Sequence, residues 1–153
     1  MSGKPTKYSY EIILSELLQK IYRPIYFLEG LEPYYIDKIS SFIEHNVLDE
    51  MEREFNQTIL YGKDIDVLTL IGEAKRFPMM ADKQVVVVRE AQELKDLEKT
   101  ISTKGSDGKA ANINLFEEYV KNPTVSTILV ICYKYKNAKK KLRITELIFY
   151  ISN

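Results

Sequence analysis

Residues 30–37 occupy the place where a phosphate-binding loop would lie in a nucleotide-hydrolysing α/β protein. Such a loop reads G-x-x-x-x-G-K-[ST], in which backbone N–H groups and the lysine hold phosphate while the hydroxyl holds Mg²⁺. Counted from Gly30, the second glycine position is Tyr35. The lysine position is Ile36 and the serine or threonine position is Asp37. Because carboxylates at Glu32 and Asp37 would repel a triphosphate, this loop is not suited to nucleotide.

The acids that would hold and activate the metal are incomplete as well. A nucleotide hydrolase needs an apolar strand that ends in Asp-Glu, whereas the valines at 85–88 lead into Arg89 and Glu90. An arginine stays protonated in proteins and does not bind Mg²⁺. Glu90 takes the place of the second acid, but it has no phosphate-binding lysine or metal beside it. We therefore expect a degenerate nucleotide site, no cofactor and no intrinsic enzymatic activity.

Other reactive residues are few. The chain of 153 residues has one cysteine, Cys132, and one histidine, His45, which exclude an internal disulfide and a zinc site built from cysteines. We predict a buried apolar role for Cys132, at the end of an apolar strand, and a solvated histidine at 45. No metal site is expected, and no arrangement of Ser, His and Asp indicates nucleophilic catalysis.

Composition indicates one folded domain, since 45% of the residues are hydrophobic and eleven are tyrosine. The chain has no uncharged apolar run of about 18 residues and no signal-peptide pattern at its start, which favours a soluble, cytoplasmic protein without membrane contact. The net charge is zero, yet residues 134–143 are strongly basic and the remainder is acidic. This basic run is either a solvated surface or a weak DNA contact, made by Lys134, Lys136, Lys139, Lys140, Lys141 and Arg143.

Hydrophobic spacing predicts alternating strands and helices. Strands are predicted at 25–28, 55–61, 84–88 and 127–132, and helices at 9–22, from Pro33 to about 47, at 64–75, at 91–101 and around 113–120. Residues 102–111 are small and polar and are predicted to form a flexible loop. Uninterrupted apolar strands between helices favour an α/β fold, in which a mostly parallel sheet forms the middle of three layers.

Three segments in order carry a family resemblance: GLEPY at 30–34, QVVVVREA at 84–91, and EYVKNPTVSTILV at 118–130. They resemble the delta subunit family of bacterial DNA polymerase III clamp loaders, over roughly residues 10–137. In that family a G-x-E-P-[YF] segment replaces the phosphate-binding loop, and Arg-Glu-Ala replaces Asp-Glu-Ala. The resemblance implies an AAA+ clamp-loader module, like a P-loop NTPase, over residues 1–141.

The resemblance also implies a function in DNA replication. The family's first domain binds the edge of the sliding clamp and helps to open the ring for loading onto primed DNA. It acts together with the other clamp-loader subunits, as a non-catalytic part of the DNA-directed DNA polymerase (nucleotidyltransferase) holoenzyme. Two alternatives stay open at this stage: a P-loop ATPase with a displaced nucleotide site, and an α/β interaction scaffold without affinity for the clamp.

The resemblance assigns the clamp contact to two side chains on the helix just before the valine-rich strand, which are Met79 and Met80 here, with Phe77 beside them. The residues support this assignment, because FPMM at 77–80 is an apolar run in a polar neighbourhood and methionine adapts to irregular pockets. The family often has Leu-Phe at this position, so Met-Met departs from its pattern. In the competing interpretation, Phe77 and Met79 pack into the core and Met80 alone is exposed.

The chain also departs from the family at its end. Full-length delta subunits continue into a small helical lid and a helical collar that assembles the loader. Residues 142–153 (LRITELIFYISN) do not resemble that continuation. They predict a truncated chain or an altered reading frame, without lid or collar, which binds the clamp alone.

Overall fold

The computed structural model describes residues 8–135 and 148–149 of the protein. The helices in these residues are α1 (Tyr10–Leu18), α2 (Pro33–Asn46), α3 (Glu50–Asn56), α4 (Val67–Ala74) and α5 (Leu115–Lys121). The strands are β1 (Ile25–Gly30), β2 (Gln57–Tyr61), β3 (Gln84–Arg89), β4 (Thr100–Lys104), β5 (Ala110–Asn114), β6 (Thr127–Lys134) and β7 (Ile148–Phe149). Short 3-10 helices span Gly62–Asp64 and Ala91–Glu93.

The apolar runs form one sheet in which every pair of neighbouring strands is parallel. Its strand order is β2-β3-β6-β1-β7. Strands β3 and β6 lie inside the sheet, and their valines and isoleucines are almost fully buried because helices cover both faces. The predicted α/β fold with a mostly parallel sheet is confirmed.

Alternate residues of each strand enter two separate cores, as the two-residue period of a strand requires. On one face, Phe27 and Val86 pack with Leu70 of α4 and Phe116 of α5. On the other face, sheet residues of opposite orientation pack with α1 and α2, including Tyr26, Val87, Val130, Ile13 and Ile36. The two helical layers hold the carboxyl edge of the sheet in a defined position.

Helix α1 ends at Leu18, four residues before the end predicted from apolar spacing. Lys20 adopts a left-handed conformation (φ 60°), and the chain closes the helix with backbone bonds from Lys20 to Leu17 (3.0 Å) and from Ile21 to Glu16 (2.9 Å). This is a Schellman-type end, which satisfies the last free carbonyl groups. From the sequence, Pro24 was expected to end this helix, but the helix ends before it, at these backbone bonds.

The prediction of a helix at 91–101 followed by a flexible loop is wrong. The chain makes one 3-10 turn at Ala91–Glu93 and then a hairpin, in which β4 and β5 pair antiparallel. Leu94 and Leu97 are both buried, and their spacing is that of a helix. The segment that carries them is nevertheless irregular. Asn114 holds this segment through bonds from its amide to the carbonyls of Leu97 (3.0 Å) and Lys99 (3.2 Å). Short apolar spacing of this kind does not distinguish a helix from a packed turn.

Helix α3 was not predicted from the sequence, where residues 55–61 read as one strand. The Asp49 carboxylate accepts a bond from the Glu52 N–H (2.8 Å), and the Glu52 carboxylate accepts one from the Asp49 N–H (3.1 Å). This reciprocal capping box starts the helix, which continues to Asn56. Strand β2 consequently begins at Gln57, two residues later than predicted.

The short strand β7 lies in the segment 142–153 that the sequence analysis set apart. Its backbone pairs with β1 in parallel, so this part of the segment belongs to the sheet. The predicted domain boundary at residue 141 stays a prediction, because most of the segment lies outside the described residues. Among those residues, no helix has the length and apolar character needed to cross a membrane.

Candidate functional site

The loop after β1 is used to start helix α2. The Glu32 carboxylate accepts a hydrogen bond from the Tyr34 N–H (3.1 Å), and Pro33 is at the beginning of the helix. An acid near a helix start compensates the free N–H groups there, and proline has no N–H to leave unsatisfied. Glu32 and Pro33 therefore have helix-start roles.

Tyr35 and Ile36 contribute to the packing of α2. Ile36 is buried in the core between α2 and the sheet, and Tyr35 packs against the same core. The Tyr35 ring lies 5.0 Å from the ring of Tyr10 on α1, between centroids. Tyr35 and Ile36, at the glycine and lysine positions of a phosphate-binding loop, thus contribute to the packing of α2 in this protein.

A lysine at the end of β6, the strand beside β1, forms ion pairs with two further acids of the nucleotide-site pattern. The Nζ atom of Lys134, at the end of β6, lies 2.7 Å from Oδ1 of Asp37 and 3.6 Å from Oε1 of Glu90. The Lys134 side chain is 15% exposed. Burial lowers its pKa, but the hydrogen bond and charge of Asp37, with the charge of Glu90, outweigh burial, so the pKa is raised. Lys134 therefore stays protonated between the two acids.

Arg89, at the place of the first metal-binding acid, is held in a second set of contacts. Its guanidinium donates to Oε2 of Glu44 (2.8 Å) and to the hydroxyl of Tyr61 (3.3 Å). Glu44 is buried, and its other carboxylate oxygen accepts a bond from the Ser40 hydroxyl (3.1 Å). The bond to Glu44 is the main cause that raises the pKa of Arg89. Arg89 thus ties β3 to α2 and β2.

These contacts fill the carboxyl edge of the sheet, where ligands bind in open α/β folds. At this edge Lys134 pairs with Asp37 and Glu90, and Arg89 pairs with Glu44. Over residues 8–135, no cluster of three or more histidine, cysteine, aspartate or glutamate side chains is arranged to hold a metal. Cys132 is buried as predicted, and burial is the main cause that raises its pKa to about 12.

Of the six basic residues considered as a weak DNA contact, Lys134 lies within the described part of the chain. The Lys134 side chain is 15% exposed, and its ammonium pairs with Asp37 and Glu90. Strand β6 extends one residue into the basic run and so carries Lys134 to this position. A DNA contact at Lys134 stays a prediction. The other five candidates lie outside the described residues: Lys136, Lys139, Lys140, Lys141 and Arg143.

A second candidate site lies at the opposite end of β3, in the loop at 75–83. The predicted helix is absent here, because α4 ends at Ala74 and the apolar run follows in irregular backbone. Exposed fractions are 83% for Phe77, 56% for Met79 and 102% for Met80. The interpretation in which Phe77 and Met79 pack into the core is therefore wrong. All three apolar side chains are presented to solvent.

Buried amide side chains hold this loop near its start and in its middle. Gln84, the first residue of β3, donates to the carbonyl of Arg76 (2.6 Å) and to the hydroxyl of Thr127 (2.7 Å). Asn56, the last residue of α3, bonds to both the N–H (2.6 Å) and the C=O (2.8 Å) of Met79. Neither amide was singled out from the sequence. The Asp49–Glu52 capping pattern could have revealed the helix that carries Asn56, but no local pattern shows its partner.

Comparison with known proteins assigns the family. The model of the family described as DNA polymerase III, delta subunit, matches residues 26–149. The chain belongs to this delta subunit family. A curated relative, the DNA polymerase III subunit delta of Bacillus subtilis (strain 168), is 24% identical over 123 residues, which is 80% of this chain and 34% of the relative. This delta-family chain therefore spans about a third of the length of that relative.

A solved structure supports the fold of the delta-family chain. The structure titled Bacillus subtilis DNA clamp loader delta protein matches with a TM-score of 0.69 and 21% identity. The match covers 94% of this chain and 42% of the solved one. At this level of identity the likeness concerns the α/β fold of the delta-family chain.

Proposed function

We propose that this chain is the clamp-binding module of a clamp-loader delta subunit, with an AAA+ fold like that of P-loop NTPases and without catalytic activity of its own. The observation that carries the proposal is the exposure of Phe77, Met79 and Met80 on a loop whose backbone is tied to the body of the domain. Exposed apolar clusters of this kind commonly mark interaction sites. Membership of the delta family points to the sliding clamp as the partner.

The three side chains have separate roles in this proposal. Met79 and Met80 enter an apolar pocket of the clamp, where their unbranched and polarizable side chains adapt to an irregular surface. Phe77 covers the rim of the contact. Side chains of this type that become fully buried on binding act as anchors and each contribute about 1–3 kcal/mol.

The carboxyl edge of the sheet takes no part in catalysis. The proposed degenerate nucleotide site comprises the former loop positions and the former acid positions, which are Gly30, Glu32, Pro33, Tyr35, Ile36, Asp37, Arg89 and Glu90. Support comes from the Lys134 ion pairs and the Arg89–Glu44 pair, which occupy this edge with internal contacts. Mg²⁺ and nucleotide would have to break both sets of ion pairs in order to bind at this edge. Work done with ATP would then belong to other subunits.

The larger role concerns the whole subunit. We infer that the full delta subunit, together with the other clamp-loader subunits, helps to open the clamp for loading onto primed DNA in the polymerase III holoenzyme. The family match and the printed name of the Bacillus structure support this role. In this chain the proposal is limited to the clamp contact, since it spans about a third of the curated relative.

A titration against purified sliding clamp tests the contact. The wild-type chain should bind, and the double variant Met79→Ala/Met80→Ala should lose affinity by about a hundredfold or more. Leu18→Ala is the matched control, because Leu18 is also an exposed apolar residue (65%) but lies at the end of α1. The control should bind as the wild type does. No affinity of the wild type, or equal affinity of the double variant, would disprove the assignment.

A second titration uses a fluorescent ATP analogue with Mg²⁺. No saturable binding is expected, since no lysine or hydroxyl occupies its place in the former loop. Saturable binding would instead favour the ATPase with a displaced nucleotide site. Normal folding with neither clamp nor nucleotide affinity would favour the interaction scaffold.

A further inference from the structure

The side-chain amide of Asn56 forms three hydrogen bonds to backbone groups, through both its nitrogen and its oxygen. Its Nδ2 group donates to the carbonyls of Glu52 (3.1 Å) and Met79 (2.8 Å), and its Oδ1 atom accepts from the N–H of Met79 (2.6 Å). Asn56 is 4% exposed. A buried amide that is satisfied in this way fixes the orientation of the backbone it contacts. Met79 is therefore tied to the last turn of α3.

The next residue shows why such a tie is needed. Met80 adopts a left-handed conformation (φ 55°), which residues other than glycine rarely occupy, and its side chain is fully exposed. No packing of its own side chain can hold it there. The bonds at Met79 on one side, and the bond from the Gln84 N–H to the Ser126 carbonyl (2.9 Å) at the end of the loop, restrict the backbone between them.

We propose that Asn56 is the positioning residue of the loop, which orders the backbone at Met79 and Met80 before the partner arrives. The inference rests on the proposed clamp contact and extends it to a residue that does not touch the clamp. Exposed methionines on an unrestrained loop would lose much conformational freedom on binding, and this loss weakens affinity. Fixing the backbone in the free protein reduces that loss to the side chains alone.

The test uses Asn56→Ala with Asn114→Ala as its matched control. Asn114 is equally buried (5% exposed) and also bonds to two backbone carbonyls and one N–H, but it holds the segment at 97–99 and the start of α5. Three quantities are measured for each variant: free energy of unfolding, hydrogen exchange of the Met79 and Met80 amides, and affinity for the sliding clamp. Both variants should be less stable than the wild type.

The two variants should differ in the other measurements. Asn56→Ala should speed exchange at the Met79 amide by at least about tenfold and weaken clamp binding by about tenfold. Asn114→Ala should leave both unchanged. An unchanged Met79 amide in Asn56→Ala, or fast exchange with unchanged affinity, would overturn the inference, as would equal loss of affinity in the control.

The outcomes also separate this inference from the proposed function. A wild-type chain that does not bind the clamp would disprove the clamp contact, and with it the binding role of Asn56, even where exchange at Met79 depends on Asn56. A wild-type chain that binds, with affinity unaffected by Asn56→Ala, would disprove the positioning role while leaving the clamp contact standing.

Discussion

Lys134 Nζ lies 2.7 Å from Asp37 Oδ1, so the end of β6 is joined to the first turns of α2 across the edge of the sheet. Glu90, after β3, lies 3.6 Å from the same ammonium. One cation thus bridges two acids that are far apart in the sequence. The pairing forms an internal contact between α2, the end of β6 and the turn after β3.

Replacing the bridging cation should cost stability. In Lys134→Met the apolar stem is retained, but Asp37 and Glu90 are left facing each other without the ammonium. We expect the free energy of unfolding to fall by about 1–2 kcal/mol in urea denaturation, since a largely buried cation is removed from its partners. Lys121→Met removes the exposed pair with Glu118 and should change stability by less than about 0.5 kcal/mol. Equal effects would contradict the bridging role.

Two glutamines on neighbouring strands should respond in opposite ways to leucine. Gln84 is buried and bonds to Thr127 and to the carbonyl of Arg76, so Gln84→Leu should lower the free energy of unfolding by about 2–3 kcal/mol. Within the described residues, Oε1 of Gln57 is buried without a hydrogen-bond partner. Gln57→Leu should therefore be neutral or stabilising by up to about 1 kcal/mol. Thermal and urea unfolding of both variants measure the difference, and destabilisation by Gln57→Leu would refute this account.

Two glycines provide a steric test of the packing after β2. A Cβ at Gly62 would lie 2.3 Å from the carbonyl oxygen of Glu90, so Gly62→Ala must displace backbone and should cost more than about 2 kcal/mol. Gly72 lies in α4 with no atom within 4 Å of its added Cβ. Gly72→Ala should raise stability by about 0.5–1 kcal/mol, because alanine favours the helix. Denaturation midpoints give both values, and a tolerated Gly62→Ala would show that the Glu90 turn moves freely.

The buried thiol should make stability fall at alkaline pH. Burial raises the pKa of Cys132 from 9.0 to about 12, so folding favours the protonated thiol. The contribution of this thiol to the free energy of unfolding is fully present below pH 9 and is lost as the pH rises from 9 to 12. Burial also raises the pKa of Tyr26, from 10.0 to about 12. The stability that this tyrosine contributes is therefore lost from about pH 10 upwards.

Between pH 9 and 10 the free energy of unfolding of the wild type should therefore fall by about 1 kcal/mol. Cys132→Ala, although less stable overall, should show a flatter profile over this interval. Urea denaturation at several pH values measures both slopes. Parallel profiles for the two proteins would mean that the thiol does not titrate with unfolding.

The sequence predicted the elements whose signal is local. The consecutive valines of β3 and the apolar run of β6 were recognised because a strand buried on both faces needs apolar residues without interruption. Helix α2 was recognised from the spacing of Ile36, Ile39 and Ile43 and from Pro33 at its start. Segments with mixed signals failed: the buried leucines 94 and 97 mimicked a helix, and α3 was merged with β2.

By itself, the sequence determined which residues stand where a phosphate-binding loop and its metal-binding acids would lie. It also determined the family resemblance and the alternation that leads to a parallel sheet. Only the tertiary structure decided that Lys134 pairs with Asp37 and Glu90, that Asn56 holds Met79, and that Phe77, Met79 and Met80 are all exposed. Hydrophobic periodicity indicates which residues of a single segment are buried. Contacts between distant segments depend on strand order and register, and these are decided by packing of the whole domain.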